Sequence, residues 1–401
     1  PASGTPEYWD GEIPWVTPED VGRSREGYWL HDSRRKLTED GYANCGATLV
    51  PDHSIVLTKR APIGQFAVLS MEACCNQGCF LLSPGAEHDA RFLYYLLTTQ
   101  ADLLQALGRG STFMELATDD LKALKLIFPP LPRQRAIAAY LDRETAKIDA
   151  MIAAKERLLT LLAEKRRALT THAVTRGLNP DAPMKDSGVE WLGEIPEHWD
   201  AAPLRYLVDI TSGSTPDKGN AEYWGGDIPW VSPKDMKRDR IDDAEDHVTD
   251  LAMRETTLAR IPAGSVLVVI RGMILAHSFP TAVTTGEVTT NQDMKALRCR
   301  PLIDAEFLWA YFRGIEKHIV SQADQSAHGT KKIDTEILGA VSVVVPPLDE
   351  QRRIVQEVIS QTARVDELVG QTQRSIDLGR ERRSALIAAA VTGQVDVEDA
   401  A

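Results

Sequence analysis

The segment YWDGEIPWVTPED, Tyr8 to Asp20, returns 215 residues later as YWGGDIPWVSPKD, Tyr223 to Asp235. PPLPRQRAI (Pro129 to Ile137) returns as PPLDEQRRI (Pro346 to Ile354), and ALTTHAVT (Ala168 to Thr175) as ALIAAAVT (Ala385 to Thr392), both 217 residues on. Three separate motifs recur in one order and at nearly one spacing. The period is far longer than the roughly 20–50 residues of a solenoid module, so a whole domain-sized unit is duplicated. Two like units in one chain make a pseudo-dimer, with the geometric logic of a symmetric pair of subunits. That arrangement suits a target with two related halves.

The length of 401 residues allows roughly two to four domains. No apolar run approaches the ~20 residues of a membrane span. The start, PASGTPEYWD, has neither the basic nor the apolar region of a secretory signal, so no membrane association is expected. Five cysteines, few and odd in number, fit a cytoplasmic location. The formal charge of −13 excludes a simple basic coat for nucleic acid, but the charge is unevenly spread. Residues 1–128 carry 11 basic and 17 acidic groups, 129–180 carry 10 and 5, 181–345 carry 17 and 26, and 346–401 carry 7 and 10. An acidic total still allows binding through a local patch, because the nearby field decides steering. It implies weak non-specific binding and a partner that supplies part of the positive surface.

Residues 1–128 read as a mixed α/β domain. Ser54 to Leu69 predicts strand, turn and strand around a Pro-Ile-Gly break. Asp89 to Leu107 has a helical period, with Phe92, Leu96, Leu103 and Leu107 on one side. Leu124 to Phe128 reads as a closing strand stopped by Pro129 and Pro130. Residues 129–177 hold a long helix. No Pro or Gly occurs from 133 to 176, and Ile137, Leu141, Ile148, Ile152, Leu159, Leu162, Leu169 and Ala173 recur at intervals of three, four and seven. About 43 residues at a 1.5 Å rise make a rod on the order of 65 Å. Residues 178–200, rich in Pro, Gly and Asp, read as linker and lead-in. Residues 201–345 repeat the domain, with Ala305 to Ile315 matching the helix and Ile337 to Val345 the closing strand. Residues 346–393 repeat the long helix through Ile354, Val358, Val365, Val369, Ile376 and Leu386, and 394–401 form an acidic tail. The second unit has about 28 residues ahead of its Ser-Thr-Pro where the first has Pro1 to Gly4. The first domain is therefore expected to be incomplete at its amino end.

The set STP, YWGGDIPWVSPKD, VIRG, TNQD, HGTKK and PPLDEQRRI in the second half resembles the specificity subunits of type I restriction-modification enzymes. GTP, YWDGEIPWVTPED, TKRAPIG, CNQGCF, GST and PPLPRQRAI carry the resemblance in the first half. It spans essentially the whole chain. It implies an α+β fold: two α/β target-recognition domains in tandem, joined by two long helices packed as an antiparallel coiled coil. It further implies a non-catalytic subunit in which each domain reads one half of a bipartite sequence in double-stranded DNA. The helices would set the gap and dock two methyltransferase subunits, which a motor-nuclease subunit joins. S-adenosylmethionine, ATP and magnesium then belong to those partners, and this chain holds no cofactor. The apolar positions Ile137, Leu141, Ile148, Ile152 and Leu162 against Ile354, Val358, Val365, Val369 and Ile376 are the expected seam. The alternative is a helical scaffold or adaptor without DNA specificity, which the duplicated α/β domains disfavour.

Several residues suit DNA contact, and each has a plainer explanation. Lys59 and Arg60 precede Pro62 and Gly64, and Arg271 precedes Gly272. A cation on a turn can reach guanine O6 and N7, or pair with a local carboxylate. Asn76 and Gln77 match Asn291 and Gln292. Amides suit adenine, yet they equally suit turns. Occurrence in both halves favours the structural role, because units that read different sequences should differ where they read. Ser111 and Thr112, beside Gly110, lie opposite His328, Thr330, Lys331 and Lys332, a composition suited to phosphate approach or to an ordinary loop. Trp15 and Trp230 read as buried anchors. Cys74, Cys75 and Cys79, with Cys45, His53 and His88, match no common zinc spacing, and the second unit lacks the cluster. No phosphate loop, nucleophile elbow or H-E-x-x-H motif is present, nor an Asn-Pro-Pro-aromatic motif.

Overall fold

The structure is a computed structural model and describes residues 1–401 apart from 24–26, 111–113, 326–329, 396 and 398–401. The chain divides into two units, Pro1–Arg157 with Thr372–Ala401 and Leu158–Gln371. Each unit thus contains one α/β domain and one segment of each long helix.

The repeated Tyr-Trp motif builds the same strand in both units. Trp9–Val16 pairs antiparallel with Arg35–Leu37 and parallel with Cys74–Cys75, and its register slips between Trp9 and Ile13. Trp224–Val231 pairs likewise with Asp246–Val248 and Thr289–Thr290, slipping between Trp224 and Ile228. Extra residues on one strand of a pair form a bulge. There Gly11 and Gly226 lie so close to the neighbouring strand that a Cβ would strike the carbonyl of Leu37 or of Val248. Only glycine fits, which accounts for the glycine shared by both copies.

In the first unit a second sheet runs Trp29–Leu30, Phe66–Leu69, Ile55–Thr58, Cys79–Leu82. The expected strand, turn and strand of Ser54 to Leu69 are its two central strands. In the second unit the corresponding sheet has five strands, in the order Val208–Ser212, Met294–Cys299, Ser265–Val269, Thr281–Thr284, Arg240–Ile241. A helix begins at the same place in each domain, Ala90–Thr98 after Asp89 and Ala305–Gly314 after Asp304. Each Asp side chain accepts from the first backbone amides of its helix, satisfying donors that lack intrahelical partners. Phe92 and Tyr95 in one unit, and Phe307, Tyr311 and Phe312 in the other, bury themselves between sheet and long helix.

The long helices are Leu131–Arg176 and Leu348–Val391. In the first unit Asp149 meets Arg383 at 2.8 Å and Glu156 meets Arg380 at 2.9 Å. In the second unit Arg166 meets Asp366 at 2.9 Å, while Gly177 lies near Glu350. Partner numbers fall on one helix as they rise on the other, so the segments pair antiparallel within each unit. Ile137, Leu141, Ile148, Ile152, Leu162, Ile354, Val358, Val365 and Ile376 are all buried, and Val369 is half-buried. Gln134, Thr145 and Thr170, with Gln351, Thr362 and Thr372, extend the same three-and-four spacing as buried polar positions.

Three expectations are corrected. The helix of Asp89 to Leu107 is two helices, Ala90–Thr98 and Ala101–Ala106. At the break the Gln100 amide bonds the Leu97 carbonyl at 2.9 Å, the tighter i to i−3 turn in which an α-helix often ends. Leu124 to Phe128 is not a strand, although its match Ser342–Val345 is one. That strand exists because Asp200–Pro203 pairs with it, and no described residue plays that part for Leu124 to Phe128. The segment keeps its alternation all the same. Leu124, Leu126 and Phe128 pack onto the core, and Ile127 is 84% exposed. Residues 178–200 are more than a linker. They form the strands Met184–Asp186 and Glu194–Pro196 and bury Leu192, Ile195 and Trp199 in the second unit's core. No helix among the described residues is long and apolar enough to cross a membrane.

Candidate nucleic-acid interface

The turn after the strand Ile55–Thr58 brings Lys59 and Arg60 to Glu115. Arg60 pairs with Glu115 in a backbone bridge, and so does Arg109. The Glu115 carboxylate lies 2.7 Å from Lys59 Nζ and 3.0 Å from Arg60 Nε. These two cations, Lys59 first, hold its carboxyl below the usual carboxylate range. In the second unit the matching turn places Arg271–Gly272 against Lys331–Lys332, which pairs in turn with Asp324–Gln325. Arg271 is the counterpart of Arg60, and Lys332 that of Glu115. Arg271 lies 3.8 Å from Asp293, and Lys332 pairs with Asp334. The structure thus brings the cationic turn beside Glu115 in one unit and beside Lys331–Lys332 in the other, about 60 residues further along the sequence. It does so in the same way in both units, with the charge reversed at one equivalent position. Lys59, Arg60 and Arg271 each have a carboxylate beside them, as the plainer explanation holds, and so do Arg109 and Lys332. Ser111, Thr112 and His328 lie outside the described residues. Thr330 is described and half-buried.

The paired amides separate into two roles. Asn76 Oδ1 accepts from Gly78 at 2.9 Å and Asn291 Oδ1 from Asp293 at 3.1 Å. Both backbone amides bond the repeated strand, at Val16 and Val231. These asparagines make turns. Gln77 and Gln292 are exposed, and Gln292 accepts from the Thr215 hydroxyl.

Trp15 and Trp230 are buried, edge-on to Trp9 at 5.9 Å and Trp224 at 5.0 Å. Cys74 and Cys75 stand at the strand positions that Thr289 and Thr290 occupy in the other unit. Burial pushes the Cys74 thiol up to about 11 and Cys75 to about 12. Neither is poised as a thiolate. Among the described residues no three His, Cys, Asp or Glu side chains are placed to hold a metal.

Sequence reasoning missed the role of Gln134 and Gln351 in the repeated PPL motif. Gln134 accepts from the Asp89 amide at 2.9 Å and donates to the carbonyls of Glu87 and Pro129. Gln351 accepts from Asp304 at 2.8 Å and donates to Leu302 and Pro346. Each glutamine locks the start of a domain helix to the start of a long helix. The motif's return in both halves was its one visible signal.

Comparison with known proteins places this arrangement. The sequence profile of the family described as type I restriction modification DNA specificity domain matches residues 2–160 and 196–376, and the chain belongs to that family. The specificity subunit of the type I restriction enzyme MjaIX of Methanocaldococcus jannaschii is 24% identical, over all of this chain and 90% of its own length. That of EcoR124I/EcoR124II of Escherichia coli is 34% identical over 43% of this chain and 41% of its own. A solved chain reported for the assembly and conformational transition of a type I R-M system aligns with a TM-score of 0.75 and 17% identity, covering 96% of this chain and 91% of that one. The HsdS subunit of Thermoanaerobacter tengcongensis aligns at 0.54 and 16%, covering 92% and 90%. These last two bear on the fold alone. The chain is a non-catalytic subunit for sequence-specific DNA recognition in a restriction-modification complex, and the scaffold alternative gains nothing. Specificity subunits of such systems work with DNA and with methyltransferase and restriction subunits.

Proposed function

We propose that each α/β domain reads one half of a bipartite duplex target and that the paired helices fix the spacer between the halves. The observation that carries this reading is the duplication itself: domain, glutamine joint and long helix recur in one order. A continuous helix of 46 residues has a length on the order of 70 Å, about two turns of duplex. Two methyltransferase subunits would dock on the helices, one for each half, and a motor-nuclease subunit would complete the assembly. S-adenosylmethionine, ATP and magnesium would sit on those partners, with none on this chain, in the cytoplasm. The Lys59–Arg60 and Arg271–Lys332 turns, the exposed Gln77 and Gln292, and the segments carrying Ser111, Thr112, His328, Thr330 and Lys331 are the candidate DNA contacts. Phosphate contacts would position the duplex and base contacts would specify it. The test is to exchange residues 201–345 for the matching domain of a relative and sequence the methylated sites. One half-site should change while the other half and the spacer stay. A change in both halves together would overturn the two-reader arrangement.

A further inference from the structure

We infer that Lys295 is the floor of an anion seat in the second unit, edged by Lys332, that takes a phosphodiester of bound DNA. The inference rests on the proposed DNA-reading role. Comparison of the two units carries it. In the first, Leu57 pairs with Phe80 on neighbouring strands, and in the second Val268 pairs with Lys295 at the same position. Lys59 in the first unit lies 5.1 Å over the Phe80 ring, and its ammonium is neutralised by Glu115 at 2.7 Å. Both units therefore bring an ammonium to this strand position, one from the turn and the other from the strand itself. The neutralising carboxylate is not duplicated, because the counterpart of Glu115 is Lys332.

Lys295 retains only 9% exposure. Its Nζ donates to Ser212 Oγ at 2.6 Å. Among the described residues no carboxylate forms an ion pair with it, and residues 326–329, Ser-Ala-His-Gly, add no acid. Lys332 is engaged with Asp334 and Arg271 with Asp293. Burial, and then the charge of Lys332, push the Lys295 ammonium below its ordinary range. A buried charge without a partner is costly, and an external anion removes that cost. A phosphodiester fits because it brings the charged acceptor that the Lys295 ammonium lacks, and duplex DNA is what this family recognises.

The experiment uses the assembled complex with its methyltransferase subunits and a duplex carrying its methylated site. Binding is titrated with salt for wild type, Lys295→Met and Lys295→Arg, with melting temperatures taken without DNA. One lost phosphate contact lowers the magnitude of the log–log salt slope by about 0.9. Lys295→Met should show that fall, melt no lower than wild type, and still methylate the same sequence. Lys295→Arg should restore the slope. Lys295→Gln replaces the methionine variant if that fails to fold. An unchanged slope with a lowered melting temperature would make Lys295 structural and overturn the proposal. Weakened methyltransferase assembly with an unchanged slope would assign the anion to a partner carboxylate and equally overturn it. Failure of the wild-type complex to prefer its site would instead sink the DNA-reading role.

Discussion

Gln134 and Gln351 are each enclosed by protein, and each satisfies three backbone groups that would otherwise be buried without partners. Replacing Gln351 with Leu keeps the volume and strands the Asp304 amide and the Leu302 and Pro346 carbonyls. Each unmade bond costs about 1–3 kcal/mol. Gln351→Leu should therefore lower unfolding stability by at least ~2 kcal/mol, read from urea melts, and Gln134→Leu should do the same. An unmoved midpoint would show that the joint contributes no stability. Glu115→Gln should act in the opposite sense on DNA. It removes a negative charge and frees Lys59 and Arg60, so affinity should rise a few-fold with a steeper salt dependence, one added phosphate contact giving about −0.9. A flat response in a salt-titrated shift assay would show that these cations face away from the duplex. At this scale the sequence was only partly legible. The cationic turns and the turn-making asparagines stood out, because their meaning depends on adjacent residues. Two of the three partners of Gln134 lie 45 and 47 residues away, and Lys295 has no motif around it, so local patterning could disclose neither.

The long helices were legible because a three-and-four spacing specifies both the element and the face it buries. Their antiparallel pairing followed from family resemblance, and ion pairs within each unit now carry it. A double change, Ile148→Asp with Ile152→Asp, should destabilise the first unit by several kcal/mol, since each carboxylate would enter an apolar seam. A melting temperature equal to wild type would remove the seam from the account. Arg166→Ala gives the contrast. Its pair with Asp366 is half open to water, so the loss should stay below about 1 kcal/mol. Strands were harder to read. Leu124 to Phe128 and its match at 341–345 share one apolar pattern interrupted only at Lys125 and Ser342, yet only the second pairs, because a strand is defined by a partner that its own sequence does not encode.

For the whole molecule, the duplication spaced at 215 to 217 residues made the architecture readable before any contact was known. The domain target itself stays hidden, since base readout depends on side-chain placement and DNA deformability. If the helices act as a ruler, adding one heptad to each should lengthen it by about 10 Å, roughly three base pairs. Sequenced methylation sites should then show a longer spacer between unchanged half-sites. An unchanged spacer would mean that something other than the helices sets it.

The two glutamine joints also bear on how such a protein can change over generations. Each holds its domain by the same two backbone bonds and its own helix start by a third, at the same step of the helical spacing. A crossover between genes at the PPL motif would deliver a foreign domain into a joint that already fits it, with the helix phase kept. If each domain reads its own half-site, new specificity can arise in one recombination event, without a trail of half-functional intermediates, and selection has reason to keep the joint constant while the domains diverge.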